Sequence, residues 1–349
     1  MRAVPGFQGL RMHVVREPVS GRSYTVLVLE TQSGVVGYGE CARATEAATA
    51  HARRILAGSG VAAYEVIDRQ LEAAPELRAA VNMALLDIAG KIAKAPVFQL
   101  LGGPTRSRAR AMTRLDGASD EELAASLRRA KDARHRAFLV PAPVHPGRQQ
   151  EFVNRTLRRL DALEAAAGDD CDFVLDAAGG LTPAIAAALS RALEGRHLLW
   201  FDEPVPVSNL SVAGRLSAES VTPLGFGQSI HDAGGFQDLL REGAIDVLRP
   251  DIRTHGVSGI RRLAALAETY YTAVAPHHDG GPVATAAALH LAACLPNFYI
   301  QQIPLPAAEE DRRMRASMTR RPVEVIQDGF AALPDGPGMG VEVDERILA

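Results

Sequence analysis

IDVLRPDIRTHGVSGIRRLAALAETYYTAVAPHH, residues 245–278, sets the architecture. IDVLRP at 245–250 and TAVAP at 272–276 are short apolar runs of strand type, and SGIRRLAALAETY, starting at Ser258, has the spacing of a helix between them. Strand and helix in alternation argue for parallel strands. Working outward, the same kind of run recurs as ARAMT at 109–113, AFLV at 137–140, FVLD at 173–176, LLWFDE at 198–203, PLGFG at 223–227 and FYIQQ at 298–302. Most gaps hold room for a returning helix, such as EELAASLRRAKDA from Glu121. Eight such strands suit closure into an α/β barrel.

The first hundred residues have a different rhythm. YTVLVLE at 24–30 and VVGYGE at 35–40, joined through Ser33 and Gly34, read as a hairpin. Helices are predicted from Ala42 to about Leu56 and from about Leu77 to Lys94, the second with Val81, Leu85, Ile88 and Ile92 as one buried stripe ending before Pro96. Gly102, Gly103 and Pro104 punctuate the chain as a boundary would. The expected organisation is an α+β capping domain over 1–105, a barrel over 106–303, and a segment over 304–349 that returns to the capping domain.

Composition narrows the function classes. With 47% hydrophobic and 23% charged residues in 349, the chain is an ordinary globular protein of two-domain size. A net charge of −3 gives no attractive field for nucleic acid or an anionic membrane, and the basic cluster Lys131, Arg134, His135 and Arg136 reads as a solvated helix end. Three scattered cysteines, Cys41, Cys171 and Cys294, suit a reducing compartment, and no leader or apolar stretch of membrane-spanning length is seen, so a cytoplasmic protein is expected.

Polar residues gather at the strand ends: Asp176 on the third, Asp202 and Glu203 on the fourth, Gln228 on the fifth, Asp251 on the sixth, His277 and His278 on the seventh, Gln301 and Gln302 on the eighth. In a barrel these ends converge on one cavity. Asp176, Glu203 and the carboxamide oxygen of Gln228 offer hard oxygen donors suited to Mg2+; the alternative is that the two acids cap helices or pair with arginines. Asp202 suits a structural salt bridge. Asp251 and His277 form a second unit, in which the carboxylate fixes the imidazole tautomer and leaves the other nitrogen to move a proton. His278 is an alternative to His277.

Several stretches together resemble the mandelate racemase and muconate lactonizing branch of the enolase superfamily. AAVNMALLDIAGKIAKAPVFQLLGG at 79–103 looks like its helix and glycine hinge, GVVGYGE at 34–40 like its lid hairpin, and DGFAALPDGPGMGVEVDE at 328–345 like its C-terminal return. LDAAGG, WFDEPVP and RPDI resemble the ends of its third, fourth and sixth strands, and APHHDGGPVATAAALHLAACLPNFYIQQ at 275–302 looks most like the galactonate-type acid-sugar dehydratases. The resemblance implies a modified TIM barrel, (β/α)7β, and a homo-oligomer. It implies Mg2+ on Asp176 and Glu203, α-proton abstraction from a carboxylate or acid-sugar substrate, and His277 oriented by Asp251 as base or acid.

The departures carry equal weight. Gln228 stands where a third acidic ligand is usual, Leu139 and Pro141 where relatives carry two lysines, and Ala177, Ala178 and Gly179 where the dehydratases place a histidine. Gln302 stands where the dehydratases have a glutamate, and it can still donate a hydrogen bond to an oxyanion. The readings are therefore a Mg2+-dependent one-base lyase using Asp251, His277 and Gln302; a relative that binds a carboxylate without turnover; and an unrelated barrel activity. Arg11, His13, Arg16 and Arg22, in a loop expected near residues 5–22, are candidates to grip an anionic substrate, with ordinary surface as the alternative.

Overall fold

The computed structural model describes residues 6–60, 62–144 and 147–348. The chain begins with a three-stranded antiparallel sheet, β1 (Phe7–Arg16), β2 (Ser23–Thr31) and β3 (Val36–Cys41), in that order. β2 and β3 form the predicted hairpin, with Leu27 opposite Gly39 and Leu29 opposite Gly37. β1 corrects the expected loop near residues 5–22: from Phe7 to Arg16 the chain pairs with β2, Leu10 opposite Leu29, and only the stretch beyond Arg16 turns. Residue 5 lies outside the described residues.

Helix α1 (Glu46–Ala57) starts at Thr45, whose hydroxyl accepts a hydrogen bond from the Ala48 amide, and α2 (Tyr64–Gln70) runs into a 3-10 turn at Leu71–Ala73. Pro75 opens α3 (Pro75–Ala93), since a residue without an amide proton loses nothing in a first turn. Val81, Leu85 and Ile88 of α3 pack with Leu27 and Leu29 of the sheet, while Met83 and Leu86 face the barrel core. Ile92 does not belong to this stripe. It is 45% exposed, because the sheet edge is reached at Lys91, whose ammonium donates to the Val36 carbonyl, and the last turn overhangs it. Close seating of α3 needs glycine on β3: a Cβ on Gly39 would lie 1.9 Å from the Ala80 carbonyl oxygen.

After α4 (Val97–Leu100) comes β4 (Arg108–Arg114), and then strict alternation. The elements are α5 (Asp120–Asp132), β5 (Ala137–Pro141), α6 (Gln149–Ala167), β6 (Asp172–Asp176), α7 (Pro183–Leu193), β7 (Leu198–Asp202), α8 (Leu210–Glu219) and β8 (Leu224–Phe226). They continue as α9 (Ala233–Arg241), β9 (Val247–Leu248), α10 (Ile252–Glu268), β10 (Ala273–Val274), α11 (Pro282–Cys294) and β11 (Gln301–Gln302). Neighbouring strands from β4 to β10 pair in parallel, Val274 bridges Phe298, and β11 pairs with β4, Gln302 opposite Met112, so the ring closes. This is an α/β fold with a (β/α) barrel core of modified TIM type. Met112, Leu139, Val174, Trp200, Val247 and Ile300 fill the interior, and Leu139, at a position where the resemblance has lysine, is 1% exposed among them.

The chain then adds α12 (Glu309–Ser317) and a hairpin of β12 (Ile326–Gln327) and β13 (Phe330–Ala332). β13 pairs antiparallel with β4 of the barrel, Phe330 opposite Arg110. Beyond it the chain reaches the first sheet and α3: the Met339 amide donates to Asp87 at 2.8 Å and the Tyr38 hydroxyl to Glu345 at 3.1 Å. Asp311 of α12 accepts from the Val19 and Ser20 amides, and Arg315 pairs with Glu17 at 2.7 Å, so the turn after β1 is tied down. Among the described residues no helix is long and apolar enough to cross a membrane, and the three cysteines are free thiols.

Candidate carboxylate site at the barrel mouth

Asp176, at the end of β6, is 2% exposed. Its Oδ1 accepts from the Ala178 amide at 2.8 Å and its Oδ2 from Arg114 Nη1 at 2.7 Å. The pairing with an arginine considered from sequence is present. Arg114 closes β4, one residue past the quoted ARAMT run, and its side chain remains 41% exposed.

Glu203 follows β7 with φ +44°, in the left-handed region that a residue with a Cβ seldom enters. Its Oε1 accepts from the amides of Gly227 and Gln228 at 2.7 and 2.9 Å. Burial, reinforced by the neighbouring Asp202 charge, pushes its carboxyl up to about 7. The Gln228 side-chain amide nitrogen donates to Asp202. Asp202 is wholly buried, accepts from Trp200 Nε1 at 2.8 Å, and forms an ion pair with Arg249 Nε at 3.1 Å, which agrees with its reading as a structural salt bridge. Gly225 makes room for this packing, since a Cβ there would lie 2.4 Å from the Trp200 ring.

Arg249 carries the network across the barrel, donating to the Ala275 carbonyl at 3.0 Å and to Gln302 Oε1 at 2.8 Å. With its oxygen thus engaged, Gln302 has its amide nitrogen left for a ligand. Sequence reading passed over Arg114 and Arg249. The signal for Arg249 was the alternation of its strand: Val247 lies in the barrel interior and Leu248 in the outer layer, so Arg249 falls inward, where a charge requires a partner.

On the seventh strand the two histidines separate. His277 Nδ1 lies 2.7 Å from Asp251 Oδ2, and its ring lines the mouth cleft. His278 is buried, with Nε2 2.7 Å from the Thr285 hydroxyl and Nδ1 accepting from the Gly280 amide at 3.3 Å, so both its nitrogens are engaged. Asp251 also caps α10, its Oδ1 accepting from the Arg253 amide at 2.8 Å. Burial would raise its carboxyl, yet the hydrogen bond and charge of His277 outweigh this and hold it well below the usual carboxylate range. A fixed Nδ1 leaves Nε2 as the nitrogen for proton transfer.

The cleft has a volume of about 210 Å3, and Thr113, Arg114, Asp116, His277, Gln302 and Arg22 are among the residues lining it. Of the four basic residues considered near the N-terminus, Arg22 is the one that reaches it. Arg11 pairs with Glu345 at 2.9 Å, His13 Nδ1 lies 3.0 Å from the Leu348 carbonyl oxygen, and Arg16 is exposed.

These residues do not fit a resident Mg2+. Among the described residues no three His, Cys, Asp or Glu side chains converge to hold a metal ion. One Asp176 oxygen is held by a guanidinium and the other by an amide, and Gln228 presents a nitrogen to Asp202. A hard cation needs several oxygens turned toward one point.

Comparison with known proteins bears on the family and the fold. The profile described as Mandelate racemase / muconate lactonizing enzyme, N-terminal domain matches residues 7–102, and that described as Enolase C-terminal domain-like matches residues 122–347. A D-galactonate dehydratase family member of Streptomyces bingchenggensis is 31% identical, covering 94% of this chain and 90% of its own. A mandelate racemase/muconate lactonizing enzyme-like protein from Roseovarius sp. TM1035 superposes with a TM-score of 0.86 at 28% identity, over 98% of this chain and 94% of its own. An enolase of Agrobacterium radiobacter, crystallised with sodium and L-malate bound, superposes with a TM-score of 0.87 at 26% identity, over 98% and 94% of the two chains. A barrel closed by Gln302 beside Met112, with its strand-end acids and a His–Asp pair at one mouth, thus sits within a known lineage: the chain belongs to the mandelate racemase/muconate lactonizing enzyme branch of the enolase superfamily, and acid-sugar dehydratases are among its relatives.

Proposed function

We propose that this protein binds a carboxylate ligand of acid-sugar or 2-hydroxy-acid type at the barrel mouth, without metal-assisted turnover. The observation that carries this reading is the disposition of Gln228 and Asp176. The side chain at the third ligand position bonds to Asp202, and the first ligand is paired with Arg114. Leu139, buried in the barrel interior, supplies no proton carrier on the second strand. The L-malate of one structural relative and the D-galactonate in the name of another indicate the ligand chemistry to try first. The same reading includes a homo-oligomer residing in the cytoplasm, without nucleic-acid or membrane partners.

A specific feature favours a second reading. The His277–Asp251 pair is intact at 2.7 Å and faces the cleft, where Nε2 can take a proton from one face of a bound acid. With Gln302 as oxyanion donor, such a site would support slow one-sided α-proton exchange or syn dehydration.

A library of acid sugars and 2-hydroxy acids, incubated in deuterated buffer with and without magnesium and followed by proton NMR, separates the two. The binding reading predicts line broadening of a subset of acids with neither deuterium incorporation nor 2-keto acid. Exchange abolished by His277→Asn would establish the second reading, and magnesium-dependent dehydration would overturn the first.

A further inference from the structure

We infer that the Arg114 guanidinium takes the place of a divalent ion at this mouth and is the cation that receives the ligand carboxylate, with the Thr113 hydroxyl as a second donor. The inference rests on the carboxylate-binding reading above and adds the groups that do the binding.

Arg114 is held in place by its bond to Asp176, which uses Nη1 at 2.7 Å. A guanidinium has five N–H donors in a planar fork, so most remain for a ligand on a side chain that lines the cleft. Thr113 supplies an independent observation. It is 1% exposed and lines the same cleft, and its Oγ1 has no hydrogen-bond partner among the described residues. A buried hydroxyl left unpaired is costly, and an oxygen of a bound acid would satisfy it.

The charges around the cleft agree. Arg22 and Arg114 are its cations; of its acids, Asp279 is already paired with Arg253, and Asp116 is the other. A divalent ion binding at Asp176 would have to displace Arg114 and would meet its charge at close range. A guanidinium holds a carboxylate through two parallel hydrogen bonds but brings one positive charge where magnesium brings two. It therefore secures the acid while giving less stabilisation to the dianion formed on α-proton loss, which links the substitution to weak or absent turnover.

The test is isothermal titration of the full-length, metal-stripped protein in EDTA, with L-malate and D-galactonate as probes. Expected is saturable binding that is unchanged when EDTA is replaced by millimolar magnesium. Arg114→Ala is expected to weaken it about 10- to 100-fold and Arg114→Lys by less, since lysine keeps the charge and loses the fork. Thr113→Val is expected to weaken binding about 3- to 10-fold without lowering the thermal midpoint, because the hydroxyl it removes has no partner in the free protein. Binding that requires magnesium, or that survives undiminished in both Arg114→Lys and Thr113→Val, overturns the inference while the carboxylate-binding reading stands. The absence of binding under either condition overturns that reading, and this inference with it. Should Arg114→Ala not fold, the other two variants decide.

Discussion

At the scale of single residues, the site is organised by two arginines that hold strand-end acids, Arg114 on Asp176 and Arg249 on Asp202. Arg249 is wholly buried and bridges Asp202 to Gln302, so that both lean on one guanidinium. Taking that charge away strands a buried carboxylate, which costs far more than the pair contributes net. Arg249→Met is therefore expected to destabilise the fold by about 3–5 kcal/mol in urea unfolding, with part of the loss returned by adding Asp202→Asn. A loss below about 1 kcal/mol would show that Asp202 does not depend on this partner. The acids and His277 were legible in the sequence because strand ends of a barrel converge, a rule that needs no coordinates. Their partners were not. Which way the Gln228 amide bonds depends on Asp202 and Glu203 lying at the end of the adjacent strand, and Arg114 meets Asp176 across one intervening strand, β5.

At the scale of elements, β3 is joined to α11 by Glu40, whose buried carboxylate accepts from the Gly281 amide at 2.5 Å and the Ala284 amide at 3.2 Å. Burial pushes this carboxyl up to about 7, with the two amides and Arg253 offsetting part of the shift. Since the folded value lies above the ordinary 4.5, the folded chain keeps a proton that the unfolded chain has lost between those limits. Glu40 therefore lowers stability progressively as pH rises from about 4.5 to about 7. Glu203 acts in the same direction, so the comparison must be with Glu40→Gln. The melting temperature of the parent relative to this variant is expected to drop between about pH 5 and about pH 8, and a constant difference would refute the assignment. The existence of strands and helices was legible here, but their extents were not: β9, β10 and β11 are two residues each, shorter than the apolar runs that announce them. β1 was not legible because its two buried residues, Leu10 and Val15, lie five apart and pack into different clusters on opposite faces, so the strand shows no apolar alternation.

At the scale of the whole molecule, a barrel of the mandelate racemase/muconate lactonizing branch holds Arg114 against Asp176 at its mouth. Closure through β11 and β4 brings Gln302, Thr113 and Arg114 to one wall, and the tethered turn after β1 brings Arg22 over it. The order and spacing of motifs made this architecture readable from sequence, since every strand end named a position in the ring. The most direct measurement is manganese titration of metal-stripped protein near neutral pH, followed by electron paramagnetic resonance, with Glu203→Ala as control. The account predicts no saturable site up to millimolar ion, in either protein and with L-malate present or absent. Saturable binding of one ion per chain, lost in Glu203→Ala, would contradict it and restore Asp176, Glu203 and Gln228 as ligands of a working metal centre.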